Sequence, residues 1–95
     1  MEEELPMPIS MDWNKEEVVD VVNFFQTIER AQYKAVLRDD ILALYSRFKE
    51  IVPSKSEEKQ LFRQFDNSAG VSCWKTIQTA RQAEPGEKIN SSRQK

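Results

Sequence analysis

The apolar residues of the chain recur mainly at intervals of three and four positions, the spacing of one face of an α-helix. Four segments follow this pattern, and short polar, proline-containing or glycine-containing stretches separate them. No segment alternates apolar and polar residues with β-branched enrichment, as a half-buried strand would. The pattern therefore predicts an all-α fold, a compact bundle or array of about four helices with short connections.

The first predicted helix has a wide apolar face. Asn14 is a favourable N-cap, Glu17 stands at the reciprocal position of a capping box, and the pattern continues to about Gln32. The apolar side chains cover an arc of about 240°, roughly twice the width that a surface helix needs. We interpret this helix as either the central helix of the domain or part of a subunit interface. The arc is formed by Val18, Val19, Val21, Val22, Phe24, Phe25, Ile28 and Ala31.

Proline and serine mark the boundary between the second and third helices. The second helix is predicted to begin at Asp39 or one residue before it, and Pro53 should end it, because proline disfavours a helical conformation at the preceding residue. Ser54 is then the N-cap of the third helix, with Glu57 in the position of a capping box. Gly70 suits the left-handed conformation that often follows a helix, so it predicts the end of the third helix.

The fourth helix and the two ends complete the predicted organisation. Ser72 should cap a helix that runs to about Ala83. Residues 1–12 are expected to be extended, residues 13–83 to form a single helical domain, and residues 84–95 to form a disordered tail. The apolar side of the fourth helix is predicted to contain Cys73, Trp74, Ile77 and Ala80.

The composition excludes several kinds of chemistry. The chain has no histidine and one cysteine, so histidine-based catalysis, histidine or cysteine-rich zinc sites and an intrachain disulfide are excluded. Neither glycine-rich phosphate-binding pattern occurs among its two glycines. We therefore predict a protein that is not an enzyme and that holds no cofactor and no metal, with Cys73 as a small buried apolar residue.

Charge and hydropathy indicate the compartment and the class of partner. No run approaches the roughly 18 apolar residues of a membrane helix, and the acidic start of the chain is unlike a secretory signal. We therefore expect a cytoplasmic protein with no membrane association. The net charge of −2 argues mildly against nucleic acid as the main partner, because phosphate binding requires a basic face.

Three blocks of sequence resemble a known family. Residues 12–17 (DWNKEE), residues 47–59 (RFKEIVPSKSEEK) and the segment 72–81 match it in this order. The chain resembles the YktA-type family, small uncharacterised proteins of Bacillus and related Gram-positive bacteria, over roughly residues 8–81. The resemblance implies a compact four-helix cytoplasmic protein with no assigned activity and no site residues to carry over. Val71 and Trp74 stand where the family leads us to expect tyrosines, so the start of the fourth helix is expected to pack differently.

Two residues of the first helix are candidates for an interaction surface. Phe24 lies near the edge of the apolar arc, where an interface could begin, whereas helical spacing assigns the other aromatic residues to the core. Glu29 lies at a helical angle inside the arc, near Val18 and Val22, where a carboxylate could serve as a functional group. The simpler interpretation of Glu29 is that it reaches solvent near the end of the helix or pairs with a basic side chain.

Lys49, Lys55 and Lys59 are the other candidates for an interaction surface. They flank Pro53 and could form a patch for an anionic partner. Acidic residues are interleaved with them: residues 38–63 contain six positive and five negative side chains. A solvated surface with many ion pairs is therefore the competing interpretation.

Three functional hypotheses follow from these features. The first is a non-catalytic protein-interaction or regulatory module that binds another protein or a second copy of itself as a homodimer. The second is an RNA- or ribosome-associated protein that uses the basic residues around Lys55. The third is an enzyme built on Glu29, which requires a solvent-open pocket around that carboxylate.

Overall fold

Four α-helices account for most of residues 13–90, the part of the chain that the structure, a computed structural model, describes. One short two-stranded sheet accompanies them. The elements in chain order are α1 (Lys15–Arg30), β1 (Val36–Leu37), α2 (Arg38–Ile51), α3 (Lys55–Ala69), α4 (Cys73–Gln82) and β2 (Lys88–Ile89). The predicted all-α class with four helices is thereby confirmed. The predicted extended segment 1–12 and the last five residues of the predicted tail lie outside the described residues.

The helix ends follow the local capping signals. The Glu17 backbone N–H donates to Asn14 Oδ1 at 2.8 Å, and the Asn14 backbone N–H donates to Glu17 Oε1 at 3.0 Å, so the predicted capping box is complete. The Ser54 hydroxyl accepts from the Glu57 backbone N–H at 3.3 Å and caps α3. Gly70 ends α3 with φ 69°, a left-handed conformation that glycine adopts without steric cost.

The segment after α4 differs from the prediction, because residues 84–90 are not a disordered tail. The Glu87 backbone N–H donates to the Glu84 carbonyl at 3.0 Å, and Gly86 has φ 85°, as in a type II turn. This turn reverses the direction of the chain, so that β2 pairs antiparallel with β1. Ile89 of β2 is buried, with 4% of its surface exposed. The prediction of no strand and of disorder was wrong here because a two-residue strand is too short to show an alternating pattern.

Phe24 lies at the centre of the aromatic core. Its ring stacks on Phe48 of α2 at a centroid distance of 4.9 Å and on Phe62 of α3 at 6.0 Å, and Phe25 lies 5.1 Å away. Phe24 is 0% exposed. Its predicted place on an interaction surface was therefore wrong, because aromatic side chains of α2 and α3 cover this part of the apolar face of α1.

The rest of that face is also mostly covered within the domain. Val18 and Val22 are half-buried, and Val19 is 52% exposed. The remaining members of the arc (Val21, Phe25, Ile28 and Ala31) are buried. Of the two interpretations of α1, the structure therefore matches the central helix rather than the subunit interface.

One buried carboxylate links α2 to α3. Glu58 of α3 is 7% exposed, and both of its oxygens bond to side chains of α2. The Tyr45 hydroxyl donates to Oε2 at 2.7 Å, and Lys49 Nζ donates to Oε1 at 2.7 Å. A buried carboxylate without such partners would be strongly destabilising, so these two bonds define how α3 sits against α2. Burial, and then the hydrogen bond to Glu58, raises the pKa of Tyr45 to about 12.

The central position of Phe24 gives a prediction for stability. We expect Phe24→Ala to lower the free energy of unfolding by about 3–5 kcal/mol, because it removes a fully buried ring and leaves a cavity among four neighbouring rings. Val19→Ala on the exposed side of α1 should change it by less than about 0.5 kcal/mol. Urea denaturation followed by circular dichroism measures both, and equal effects of the two substitutions would contradict this core arrangement.

The pKa of Tyr45 gives a prediction for pH dependence. Tyr33→Phe leaves Tyr45 as the only tyrosine, and its tyrosinate absorbance should then appear with a midpoint near pH 12 instead of the usual value of about 10. Because the native state holds this proton more tightly than the unfolded chain, stability should fall as the pH rises from about 10 to about 12. The Tyr45→Phe variant should lose less stability over this pH range, because it has no Tyr45 hydroxyl to ionise. A midpoint near pH 10 in the folded protein would show that the hydroxyl is not held in the buried bond to Glu58.

Candidate functional site

A groove of about 860 Å³ lies between α2, α3 and α4. This volume is within the range of about 300–1,000 Å³ that is usual for binding sites. Five cationic and two acidic side chains line it, a net of three positive charges in a chain whose own net charge is −2. We call it the basic groove, and its lining residues are Tyr45, Lys49, Lys55, Glu58, Lys59, Phe62, Arg63, Asp66, Asn67, Trp74 and Arg81.

Helical spacing explains how α3 builds two parallel rows in this groove. Lys55, Lys59 and Arg63 follow one another at intervals of four, so they share one side of the helix and form an exposed basic row. Glu58, Phe62 and Asp66 have the same spacing on the adjacent side, which turns towards α2 and α4. The inner row therefore forms the floor of the groove, and the basic row forms its edge.

The two carboxylates of the groove are already engaged. Both oxygens of Glu58 bond to Tyr45 and Lys49, and Asp66 Oδ1 accepts from the backbone N–H of Cys73 at 2.9 Å. Within residues 13–90, no ion pair neutralises the three members of the basic row or Arg81 of α4. Like charges four residues apart repel by about 0.2–0.5 kcal/mol per pair, so the basic row is a local cost of this fold.

Trp74 and Arg81 form the α4 side of the groove. Trp74 is 43% exposed, and the Cζ atom of Arg81 lies 5.5 Å from the centre of its ring and 5.6 Å from that of Tyr45. The prediction that Trp74 belongs to the apolar side of the fourth helix was wrong. The buried side of α4 is formed by Cys73, Thr76, Ile77 and Ala80, and it leaves Trp74 at the margin.

The structure brings together three of the five candidate residues from the sequence. Lys49, Lys55 and Lys59 line the basic groove, with Lys49 bound to Glu58. Phe24 lies in the core, and Glu29 is half-buried in the last turn of α1 and does not line the groove. The lysine cluster was therefore visible in the sequence, whereas the two candidates from the first helix do not join it.

Sequence reasoning did not select Arg81 for this site. Its only signal is its position seven residues after Trp74, which places both on one side of a helix. This signal becomes informative only when Trp74 is known to be exposed. The spatial approach of Tyr45 from α2 has no local signal at all, because it depends on how the helices pack.

The interpretation of a surface rich in ion pairs holds for another part of α2. Arg47 Nε bonds to Asp20 Oδ2 of α1 at 2.7 Å, and Arg47 Nη1 bonds to Glu50 Oε1 at 3.1 Å. The hydrogen bonds to Asp20 and Glu50 raise the pKa of Arg47. The interleaved charges of this region thus separate into ion-paired side chains, among them Arg47 and Lys49, and the basic row, which is unpaired within the described residues.

Other reactive features of the described chain are few. Burial, and then the nearby carboxylate of Asp66, raises the pKa of the Cys73 thiol, which is 0% exposed. Among residues 13–90, no three side chains of the metal-binding types come together. No helix in the same range combines the length and the apolar character that a bilayer crossing requires.

Comparison with known proteins adds a family to this geometry. The model of a family described as "Uncharacterised protein family (UPF0223)" matches residues 4–89, so the matched segment ends at the buried residue of β2. The family description names no enzymatic activity.

Individual relatives agree with this match. A UPF0223 protein of Oceanobacillus iheyensis is 55% identical over an aligned segment that covers 79% of this chain and 85% of the relative. A UPF0223 protein of Lysinibacillus sphaericus is 45% identical over 87% of each chain, and one of Bacillus mycoides is 46% identical over 83% of this chain and 89% of the relative. The expected resemblance to small uncharacterised proteins of Bacillus-related Gram-positive bacteria is confirmed, and the chain belongs to the UPF0223 family.

Proposed function

We propose that this protein is a non-catalytic, cytoplasmic protein-interaction module that binds an acidic segment of another protein in the basic groove. The observation that carries the proposal is the charge of the groove. Four cations without an ion-pair partner among residues 13–90 surround a floor that contains Phe62 and Tyr45. A floor that includes aromatic rings, with unpaired cations at its edge, is suited to polypeptide segments that carry both apolar and acidic side chains.

A polypeptide segment fits this groove better than RNA does. Binding of single-stranded RNA relies on open aromatic faces on which bases stack. Tyr45 and Phe62 are only 9% and 7% exposed, so Trp74 is the one well-exposed ring among residues 13–90 that lines the groove. A single exposed ring offers little stacking surface to successive bases.

The groove residues favour binding over catalysis. The chain has no histidine, its one thiol is buried, and the two groove carboxylates form bonds inside the protein. Among the described residues, the groove thus lacks a histidine, an exposed thiol and a carboxylate without internal bonds, three groups that often act as general bases or nucleophiles. The covered face of α1 removes the feature that favoured a homodimer, so we propose a different protein as the partner.

Charge reversal along the basic row tests the proposal. We expect the triple variant Lys55→Glu, Lys59→Glu, Arg63→Glu to bind an acidic peptide at least about tenfold more weakly, a loss of about 1.4 kcal/mol of binding free energy. The probe is a short labelled peptide of glutamates with two phenylalanines, followed by fluorescence anisotropy. The matched control makes the same change of charge at the exposed residues Lys15, Arg30 and Lys34, which do not line the groove, and should lose less affinity.

Labelled oligouridylate is the competing probe. Wild-type protein should bind the peptide more tightly than the RNA, and added salt should weaken peptide binding through screening. Tighter binding of the RNA, lost in the basic-row variant, would replace this proposal with the RNA alternative. Failure of wild-type protein to bind the peptide at low salt would overturn it.

A further inference from the structure

We infer that Arg81 and Trp74 determine which acidic segments the groove accepts. Arg81 binds a carboxylate of the partner through two parallel hydrogen bonds, and Trp74 packs against a large apolar side chain beside that carboxylate. This inference rests on the proposed function and makes the partner more specific. The recognised feature is an acidic residue next to an aromatic or large aliphatic residue.

Two aromatic rings hold the guanidinium of Arg81 in a position suited to binding an external anion. Its Cζ atom lies within 6 Å of two ring centres, Tyr45 at 5.6 Å and Trp74 at 5.5 Å, which is the range of cation–π attraction. These rings come from two different helices and limit the positions of the guanidinium. A planar guanidinium that is already positioned loses less freedom when it pairs with a carboxylate, and its fork of N–H donors matches the two oxygens.

Neither carboxylate of the groove forms an ion pair with Arg81, and Asp66 Oδ1 accepts from the backbone N–H of Cys73. Glu58 also bonds to Tyr45, the ring over which Arg81 lies, but both of its oxygens are occupied, one by the Tyr45 hydroxyl and the other by Lys49. Within residues 13–90, Arg81 forms no ion pair. Its N–H donors are therefore available to a carboxylate that comes from outside the domain.

Trp74 supplies the apolar part of the recognition. Three large apolar or aromatic side chains are well exposed in the described chain, namely Val19, Tyr33 and Trp74, and of these Trp74 lines the groove. Tryptophan and arginine are the residue types that most often dominate binding energy at interfaces. Their adjacency on α4 places an apolar contact and a charge-assisted hydrogen bond side by side.

The same position favours a carboxylate over a phosphate. Both anions match the guanidinium fork, but a phosphate carries up to two charges at neutral pH. Placing a dianion beside the rings of Trp74 and Tyr45 costs more desolvation than placing a monoanion there. We therefore assign the Arg81 position to a glutamate or aspartate side chain of the partner.

Two substitutions and two peptides test this pair. The probes are the glutamate peptide with two phenylalanines and the same peptide with alanines in their place. We expect wild-type protein to bind the phenylalanine peptide about tenfold more tightly than the alanine peptide. Trp74→Ala should remove this preference while salt dependence persists, because the basic row is unchanged. Arg81→Lys keeps the charge but loses the fork, and it should weaken binding of the phenylalanine peptide about tenfold.

The control for Arg81→Lys is Arg30→Lys, an exposed arginine of α1 outside the groove, which should stay within about twofold of wild type. Circular dichroism should show unchanged helix content in all variants. If reversal of the basic row abolishes binding but Arg81→Lys equals its control and the two peptides bind equally, this inference fails while the proposed function stands. If no peptide binds wild-type protein, the proposed function itself fails. Tighter binding of a phosphoserine peptide through Arg81 would overturn the assignment to a carboxylate.

Discussion

The carboxylate of Glu58 is a buried charge, and its satisfaction sets the arrangement of the helices around the groove. Tyr45 and Lys49 of α2 each supply one hydrogen bond of 2.7 Å, so α3 must face α2 with its inner row. Because helical spacing links the two rows, the basic row is then turned towards solvent. The same bonds engage both oxygens of Glu58, and Arg81 forms no ion pair within residues 13–90. The contact between α2 and α3 and the exposure of the basic row are thus two consequences of one interaction.

The wide apolar face of α1 belongs to the aromatic core of the domain and not to an interaction surface. A wide apolar face on α1 would suggest an interface, but Phe24 stacks on both Phe48 and Phe62 and belongs to the interior. A wide apolar face on a central helix indicates that several neighbouring elements of the fold cover that helix. The exposed aromatic surface that matters lies instead on α4, where Trp74 borders a groove with unpaired cations. The residues best placed for binding therefore line the basic groove between α2, α3 and α4, and they do not lie on α1.

Sequence reasoning succeeded where structure depends on neighbours in the chain. The caps at Asn14, Ser54 and Ser72 and the glycine end of α3 are local signals, and the structure confirms them. The lysine cluster of the groove was also predictable, since its members flank one helix junction. Exposure of Trp74 and burial of Ile89 were not predictable, because each depends on which distant element covers a side chain. The local sequence does not show whether a distant element covers a side chain. This is most evident for an apolar residue at the margin of a helix face or in a two-residue strand.

The proposed function requires that acidic polypeptide segments bind between α2, α3 and α4. Heteronuclear NMR of the labelled protein, titrated with the glutamate–phenylalanine peptide, locates the binding surface directly. We expect the largest shifts at the indole N–H of Trp74 and at the backbone amides around Lys59 and Arg81, with the amides around Val19 unchanged. Shifts centred on the exposed side of α1, or shifts spread evenly over the surface, would contradict binding in the basic groove.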